Sequence, residues 1–341
     1  MNKISVVILN WNGRKFLEQF LSDTITHSLS HECDVIVADN GSTDDSCEYI
    51  KEKHTRVRVI ELGKNHGFAG GYNEALKNID SEYFVLLNSD IEVSPGWLTD
   101  IIAYMDKHTE VAVCQPKILS YNDKKRFEYA GAAGGYIDKY GYPFCRGRIM
   151  SVTEEDIGQY DDIKQIFWAS GACMFIRATA WKESGGFDPD FFAHMEEIDL
   201  CWRLNAAGKK IMYLPSSVVY HIGGGTLPYN SPSKIYYNFR NNLFMLYKNL
   251  PADRLNNIIL KRMCLDGIAA LRFLLTFNIN AFLNVIKAHI YYYRHMKVLK
   301  ERRKAVMRSS LYYPDNLIMN KSLVFSFYIK RKKTYNHLIK S

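Results

Sequence analysis

The chain has 341 residues, 47% hydrophobic and 23% charged, enough for two ordinary domains or one large domain with an appendage and for a real buried core, which argues against disorder. Seven scattered cysteines with no CxxC pair argue against a zinc site or disulfide framework and for reduced thiols. The formal charge of +8 is uneven: residues 251–341 hold 18 Lys and Arg against 4 Asp and Glu, and the first 250 hold 26 against 32, so an acidic body carries a basic tail suited to an anionic partner.

The first apolar run, ISVVIL (4–9), reads as a buried strand that stops at Asn10, Trp11 and Asn12. It is too short and too polar at its end for a secretory signal. GRKFLEQFLSDTI (13–25) sets Phe16, Leu17, Phe20 and Leu21 at helical spacing. DVIVAD (34–39) is a second strand, and STDDSCEYIKEK (42–53) opens a helix on N-capping side chains. VRVIEL (57–62), a helix from about Gly70 to Asn78, and YFVLL (83–87) follow. This alternation predicts a parallel sheet with ligands outside the carboxyl ends of its strands. Those ends carry Asn10 and Asn12, then Asp39 and Asn40, then GKNHGFAGGYN (63–73), then Asn88, Ser89 and Asp90. Four such ends on one edge define a pocket.

Residues 111–162 show no clear period and read as irregular. A strand and helix return over 165–181, then a loop and helix over 185–211 with Gly208 at its C-terminal end. VVYHIGGGT (218–226) is a strand ending at His221. From about Ser233 the pattern turns to long amphipathic helices.

Several side chains could carry chemistry. Asp39 can accept a ring N–H of a pyrimidine, with Asn40 beside it; it could equally be an Asx turn leading into a helix cap. The glycines around Phe68 could let a helix N-terminus approach a phosphate, or simply form a packing turn. Asp90 could hold a hard divalent cation on a diphosphate, or sit in a turn. Glu196, Glu197 and Asp199 cluster at a helix start, where one could act as general base and all favour the helix dipole. His221 could be a metal ligand or a hydrogen-bonded strand-end histidine.

The set VVILNWNGRKFLEQFL, VIVADNGSTDDS, NHGFAGGYN, LLNSDIEV, SGACMFIRATAWKESGGFDPDFFAHMEEIDLCWRL and VVYHIGGGT resembles the family-2 glycosyltransferases. Within them it is most similar to rhamnosyltransferase-like enzymes of bacterial surface-polysaccharide synthesis. The resemblance covers about residues 4–226. It implies an α/β GT-A fold over 1–230 with a C-terminal helical extension, 231–341. It implies an inverting transfer from a UDP- or dTDP-sugar to a glycan or lipid-linked acceptor, with Mg²⁺ or Mn²⁺. Asp39 would bind the base beside Asn10, Asn12 and Asn40. Asn65, Gly67, Asn73, Asn88 and Ser89 would line the nucleotide. Asp90 and His221 would hold the metal. Glu197, in the acidic cluster with Glu196 and Asp199, takes the place of the usual Asp base, and Asn88 that of the first Asp of D-x-D. Trp168 and Gly171 fall on the acceptor side.

In the tail, Asp266, Arg272, Asn278, Asn280, Asn284 and Lys287 interrupt the apolar stretch 265–293, so an interfacial helix is expected rather than a spanning one. With the basic runs KVLKERRK and KRKK this predicts a cytoplasmic protein, peripheral on the inner face of the plasma membrane. Packing on the body or a homodimer is the other reading. No nucleic-acid module is present. A nucleotidyltransferase would need a basic, glycine-rich loop after the first strand, which NWNGRK fits poorly; a non-catalytic sugar-nucleotide binder is a third class.

Overall fold

The computed structural model describes residues 2–30, 32–223 and 232–339. The expected boundary at 230/231 and the end of VVYHIGGGT fall outside them. The first half alternates β1 (Asn2–Asn10), α1 (Arg14–Ser28), β2 (Cys33–Asp39), α2 (Ser46–Lys53), β3 (Arg58–Glu61), α3 (Gly67–Leu76), β4 (Ser81–Asn88), β5 (Ile91–Val93), α4 (Thr99–Lys107) and β6 (Val111–Ser120). A small sheet follows, β7 (Gly135–Asp138), β8 (Pro143–Cys145), β9 (Arg148–Ile149) and β10 (Val152–Thr153). Then come β11 (Lys164–Gln165), β12 (Cys173–Arg177), α5 (Ala178–Ser184), α6 (Glu196–Ala206) and β13 (Lys210–His221). The C-terminal region holds α7 (Pro232–Asn249), α8 (Ala252–Leu275), α9 (Ile279–Arg294), α10 (Met296–Ser309), β14 (Ile318–Met319), α11 (Leu323–Tyr328) and α12 (Tyr335–Ile339).

Among the described residues the main sheet is nine-stranded, in the order β11-β13-β6-β12-β4-β1-β2-β3, with β5 paired to β13. Strands β4, β1, β2 and β3 run parallel, so the four expected strand ends do meet on one edge. Asn10 stands opposite Asp39, and Leu9 opposite Asn88. Strand β12 enters antiparallel between β4 and β6, which makes the sheet mixed rather than wholly parallel.

The inner strands are apolar without alternation because both faces are covered. Val7, Ile36, Phe84 and Leu86 enter one core, with Tyr72 and Leu76 of α3. Val6, Val35, Val37 and Val85 enter the other, with Leu17 and Leu21 of α1 and Ile101 and Met105 of α4.

Residues 111–120, read as irregular, form a ten-residue strand deep in this sheet. Its sequence, VAVCQPKILS, buries Gln115 and Lys117, which hides the strand from any apolar pattern. Gln115 donates to Gly131 O (3.1 Å) and accepts from Ser170 N (2.8 Å). Lys117 pairs with Asp156 at 2.7 Å. Pro116 lacks a ladder donor, and the register of β13 against β6 slips just there, between Leu214 and Val218.

The C-terminal region packs on the first part of the chain: α7 lies against α6, α9 against α7, and β14 adds a strand to β7. Leu86 sits fully buried at the centre of the main sheet. Leu86→Ala should therefore lower stability by about 2–5 kcal/mol, read from the shift in urea midpoint at unchanged slope.

Candidate functional site

The strand-end edge is built from interlocked polar side chains. Asn10 donates from Nδ2 to Asp39 Oδ1 (3.0 Å), and Asp39 Oδ2 accepts from Ser42 N (2.9 Å). Asn10 Oδ1 is buried and has no partner. It lies so close to Gly13 that a Cβ there would come within 2.4 Å of it, and within 3.5 Å of the Ser89 hydroxyl. Asn12 takes a positive φ of 50° and accepts from Thr43 N at 2.7 Å. Asn40 accepts from His66 N (2.9 Å) and donates to Gly67 O (3.0 Å), tying the end of β2 to the loop before α3.

The start of α3 differs from its expected use. Asn65 Oδ1 accepts from Gly67 N (2.8 Å), and the carbonyl of Phe192 accepts from Phe68 N (2.7 Å) and Ala69 N (3.2 Å). The first-turn N–H groups are thus already taken, and no free cradle for a phosphate is left at this helix end. Asn73 spends both amide ends on Phe187, donating to its O (2.7 Å) and accepting from its N (3.0 Å). It ties α3 to the segment before α6 instead of facing outward.

Asp90 occupies the turn between β4 and β5, and His221 ends β13 opposite Ile91. Residues 131 apart in sequence thereby meet: His221 Nε2 lies 3.1 Å from Asp90 Oδ1, and Asn88 Nδ2 lies 3.4 Å from the same nitrogen. On the other side of the ring, Glu128 Oε2 stands 3.3 Å from Nδ1. Glu128 reaches this position because the chain turns back after β6 and pairs Phe127 with Leu119. Nothing in the sequence marked it, since it lies in the segment without period. Burial works against a charged ring, but Glu128 and Asp90 outweigh it and raise His221 to about 10. Burial likewise opposes ionisation of Asp90, and the charge and hydrogen bond of His221 hold its carboxyl below the usual range. Among the described residues no three His, Cys, Asp or Glu side chains converge as a self-sufficient cage. A Mg²⁺ or Mn²⁺ ion shared with a substrate diphosphate needs only one or two protein ligands; the Asp90 carboxylate fits as one, and His221 fits as a second only as neutral imidazole, with its Nε2 proton displaced by the cation.

The acidic cluster splits. Glu196 and Glu197 open α6, and each has one buried oxygen without a partner. Burial, then the neighbouring Glu197 charge, raises Glu196; burial raises Glu197 to about 7. Gly171 lies beside them, since a Cβ there would approach the Phe68 ring to 3.1 Å and the Glu197 Cβ to 3.8 Å. The next residue, Ala172, accepts from Asn88 N at 2.9 Å, which links Glu197 to the Asn88–Asp90 turn in a few steps. Asp199 points elsewhere. It pairs with Arg203 (2.9 Å) and Lys248 (3.0 Å) and accepts from Asn249 (2.9 Å), and these partners outweigh burial to hold its carboxyl low. Trp168 is buried with its indole N–H on Tyr136 O (2.9 Å), packed over Gly135 of the small sheet.

The loop leading into α6 is strained. Phe192, His194 and Met195 all have positive φ, at 63°, 70° and 73°. Such values cost energy in non-glycine residues and persist only where surroundings fix them. Helix α7 supplies the fixing. The Asn241 amide nitrogen lies 2.9, 2.8 and 2.7 Å from the carbonyls of Phe191, Ala193 and His194. Arg240 donates to Asp190 O (2.9 Å) and Phe191 O (2.8 Å). His194 itself is half-buried, and the desolvation of its ring, with the Lys234 charge, pushes it down to about 4.

A model of glycosyl transferase family 2 matches residues 5–182, just over half of the chain. The chain is a member of that family. Similar proteins include a Mycobacterium tuberculosis N-acetylglucosaminyl-diphospho-decaprenol L-rhamnosyltransferase, 25% identical over 64% of this chain and 75% of that protein. The rhamnosyltransferase WbbL of Escherichia coli K12 is 26% identical over 64% of this chain and 83% of its own. Among solved structures, GalNAc-T7 with UDP, GalNAc and Mn²⁺ aligns at a TM-score of 0.56 with 16% identity, over 73% of this chain and 48% of that one. Staphylococcus aureus TarS 1–349 with UDP-GlcNAc aligns at 0.51 with 17% identity, over 76% and 71%. The fold of this family-2 member is therefore that of the GT-A glycosyltransferases, with a helical C-terminal region.

Because Asn241 contacts the loop and no reacting group, it is a positioning residue. Asn241→Ala should lower kcat about tenfold or more with donor KM little changed, at a stability loss of about 1–3 kcal/mol. Steady-state kinetics well below the melting temperature separate the two effects.

Proposed function

We propose that this family-2 member is an inverting glycosyltransferase that moves a sugar from a UDP- or dTDP-sugar to a hydroxyl of a lipid-linked glycan in cell-surface polysaccharide synthesis. The observation that carries the proposal is the meeting of Asp90 and His221 at 3.1 Å on the edge where β1, β2 and β4 end. Asp90 at that edge offers an oxygen to a cation on a diphosphate, and His221 a nitrogen once the cation displaces its proton. The rhamnosyl and decaprenol chemistry named for the mycobacterial relative supports the acceptor class.

In this reading Asp39 and Asn10 receive the base. The buried, unpartnered Asn10 Oδ1 supplies an acceptor there. Glu197 takes the proton from the acceptor hydroxyl. The freed oxygen forms a bond to the anomeric carbon as the bond to the diphosphate breaks, and the leaving oxygen keeps the electron pair. Attack from the face opposite the diphosphate inverts the carbon. A divalent cation on Asp90, joined by His221 once its Nε2 proton is displaced, would neutralise charge on the leaving group. Raising Glu197 towards 7 makes it a stronger base than an exposed carboxylate while leaving a large ionised fraction near neutral pH. Its neighbour Glu196 remains in the protonated form more readily, so the pair need not carry two charges at once.

Glu197→Gln should lower transfer by about 10²-fold or more while nucleotide affinity stays near wild type. In the wild type, kcat/KM should rise with pH through about 7, since ionised base is gained in that direction. The stability effect has the opposite sign. A carboxyl whose folded pKa is raised destabilises the fold as pH climbs from its unfolded value to its folded one, so Glu197→Gln should melt higher than wild type at pH 8 and not at pH 4. Full transfer by the Gln variant across donor sugars would remove Glu197 as the base. Independently, Asp90→Asn should abolish the gain in UDP or dTDP affinity that Mn²⁺ gives, read by calorimetry with and without chelator; an unchanged gain would place the metal elsewhere.

A further inference from the structure

Helix α8 is amphipathic in the unusual sense. Its inward face carries charge: buried Arg262 donates to Asp266 (2.8 Å) and to Asn242, and His289 of α9 meets Asp266 at 3.2 Å. Its outward face is apolar, with Leu260, Ile268, Leu271 and Leu275 spaced at helical intervals and Leu275 71% exposed. The stripe runs into the turn at Phe277, which is 89% exposed, and continues along α9 through Ile279, Leu283, Ile286 and Ile290. The buried residues of α9, Ala281, Val285, Ala288 and Tyr292, occupy the opposite side, so these exposed positions are not an unfinished core. A second segment joins the same end: Arg272 donates to the Tyr328 hydroxyl (3.3 Å), and α11 there exposes Phe325 and Ile329.

Charge around this face has one sign. Lys261, Arg272, Lys287 and Arg294 flank the stripes, and Lys330–Lys333 follow α11. Between Arg254 and Arg294 the sole carboxylate is Asp266, which is buried. No helix among the described residues is long and apolar enough to cross a membrane.

We propose that the α8–α9 tip and α11 form one docking face for an anionic lipid bilayer, with Leu275 and Phe277 entering the acyl boundary and the basic collar resting on lipid headgroups. An exposed apolar stripe of this length needs a partner in water. The positive collar chooses between partners: it attracts an anionic surface and would repel a second copy of itself. The face deepens the proposed use of a lipid-linked acceptor, but binding can be read without turnover. Its failure is therefore distinct from failure of the transferase reading.

Cosedimentation of the full chain with phosphatidylcholine vesicles carrying about a third phosphatidylglycerol, against phosphatidylcholine alone, tests the proposal. Binding to the anionic vesicles is expected, at least about tenfold weaker on neutral ones. Leu275→Glu/Phe277→Glu should weaken it at least about tenfold with the melting temperature unchanged, because both side chains are exposed. Lys330→Glu/Lys333→Glu should weaken it with greater sensitivity to salt lost. The proposal is overturned if the wild type stays in the supernatant with both vesicles, or if the Leu275/Phe277 variant sediments like wild type. It is equally overturned if sedimentation velocity finds a dimer that this variant dissociates, which would give the face to a second copy.

Discussion

The ammonium of Lys248 is almost fully buried between two carboxylates, Asp188 at 2.5 Å and Asp199 at 3.0 Å. Removing one partner from such a set leaves an uncompensated buried charge, a loss of about 3–5 kcal/mol. This network holds α7 to α6 and to the segment before it. Once α7 is fixed, Asn241 and Arg240 fall under the carbonyls of residues 190–194 and can hold three left-handed residues in place. Met195, the last of these, is the cap of α6, so the direction of Glu196 and Glu197 follows from it. The same loop offers Phe192 O to Phe68 N and Ala69 N, which ties it to the start of α3. Helix α7, which the sequence places in a tail, therefore braces the loop that leads into α6.

That division of labour explains what the sequence could and could not disclose. The parallel strands were legible because both of their faces are buried and their residues are uniformly apolar. Their shared edge followed from topology alone. Strand β6 was not legible, because Gln115 and Lys117 are buried on partners more than a dozen residues away and Pro116 sits in the middle. A pattern of apolar residues carries no record of such pairings.

The site was legible to the same extent. Of the residues the sequence singles out, Asp90 meets His221 at 3.1 Å and Gly171 lies beside Glu197. Asn73 and Asp199 looked equivalent to those residues, yet their polar atoms are consumed by Phe187 and by Lys248, Arg203 and Asn249. A side chain's partners, not its type, separate a reactive group from a structural one. Glu128 escaped altogether, since a lone glutamate between aromatic residues looks like surface until β6 turns back and sets it against His221.

Asn88 shows how these constraints combine. A second carboxylate at that position would stand about as near to His221 as the amide does now, at 3.4 Å, with Asp90 and Glu128 already within 3.3 Å of the ring. Asp90, Glu128 and a protonated His221 already sum to −1, and a third carboxylate would take the cluster to −2 beside a buried ring. The neutral amide keeps a polar contact with the ring and adds no charge. Glu128, on the far side of the histidine, already supplies the ring with a second carboxylate, which Asn88 does not.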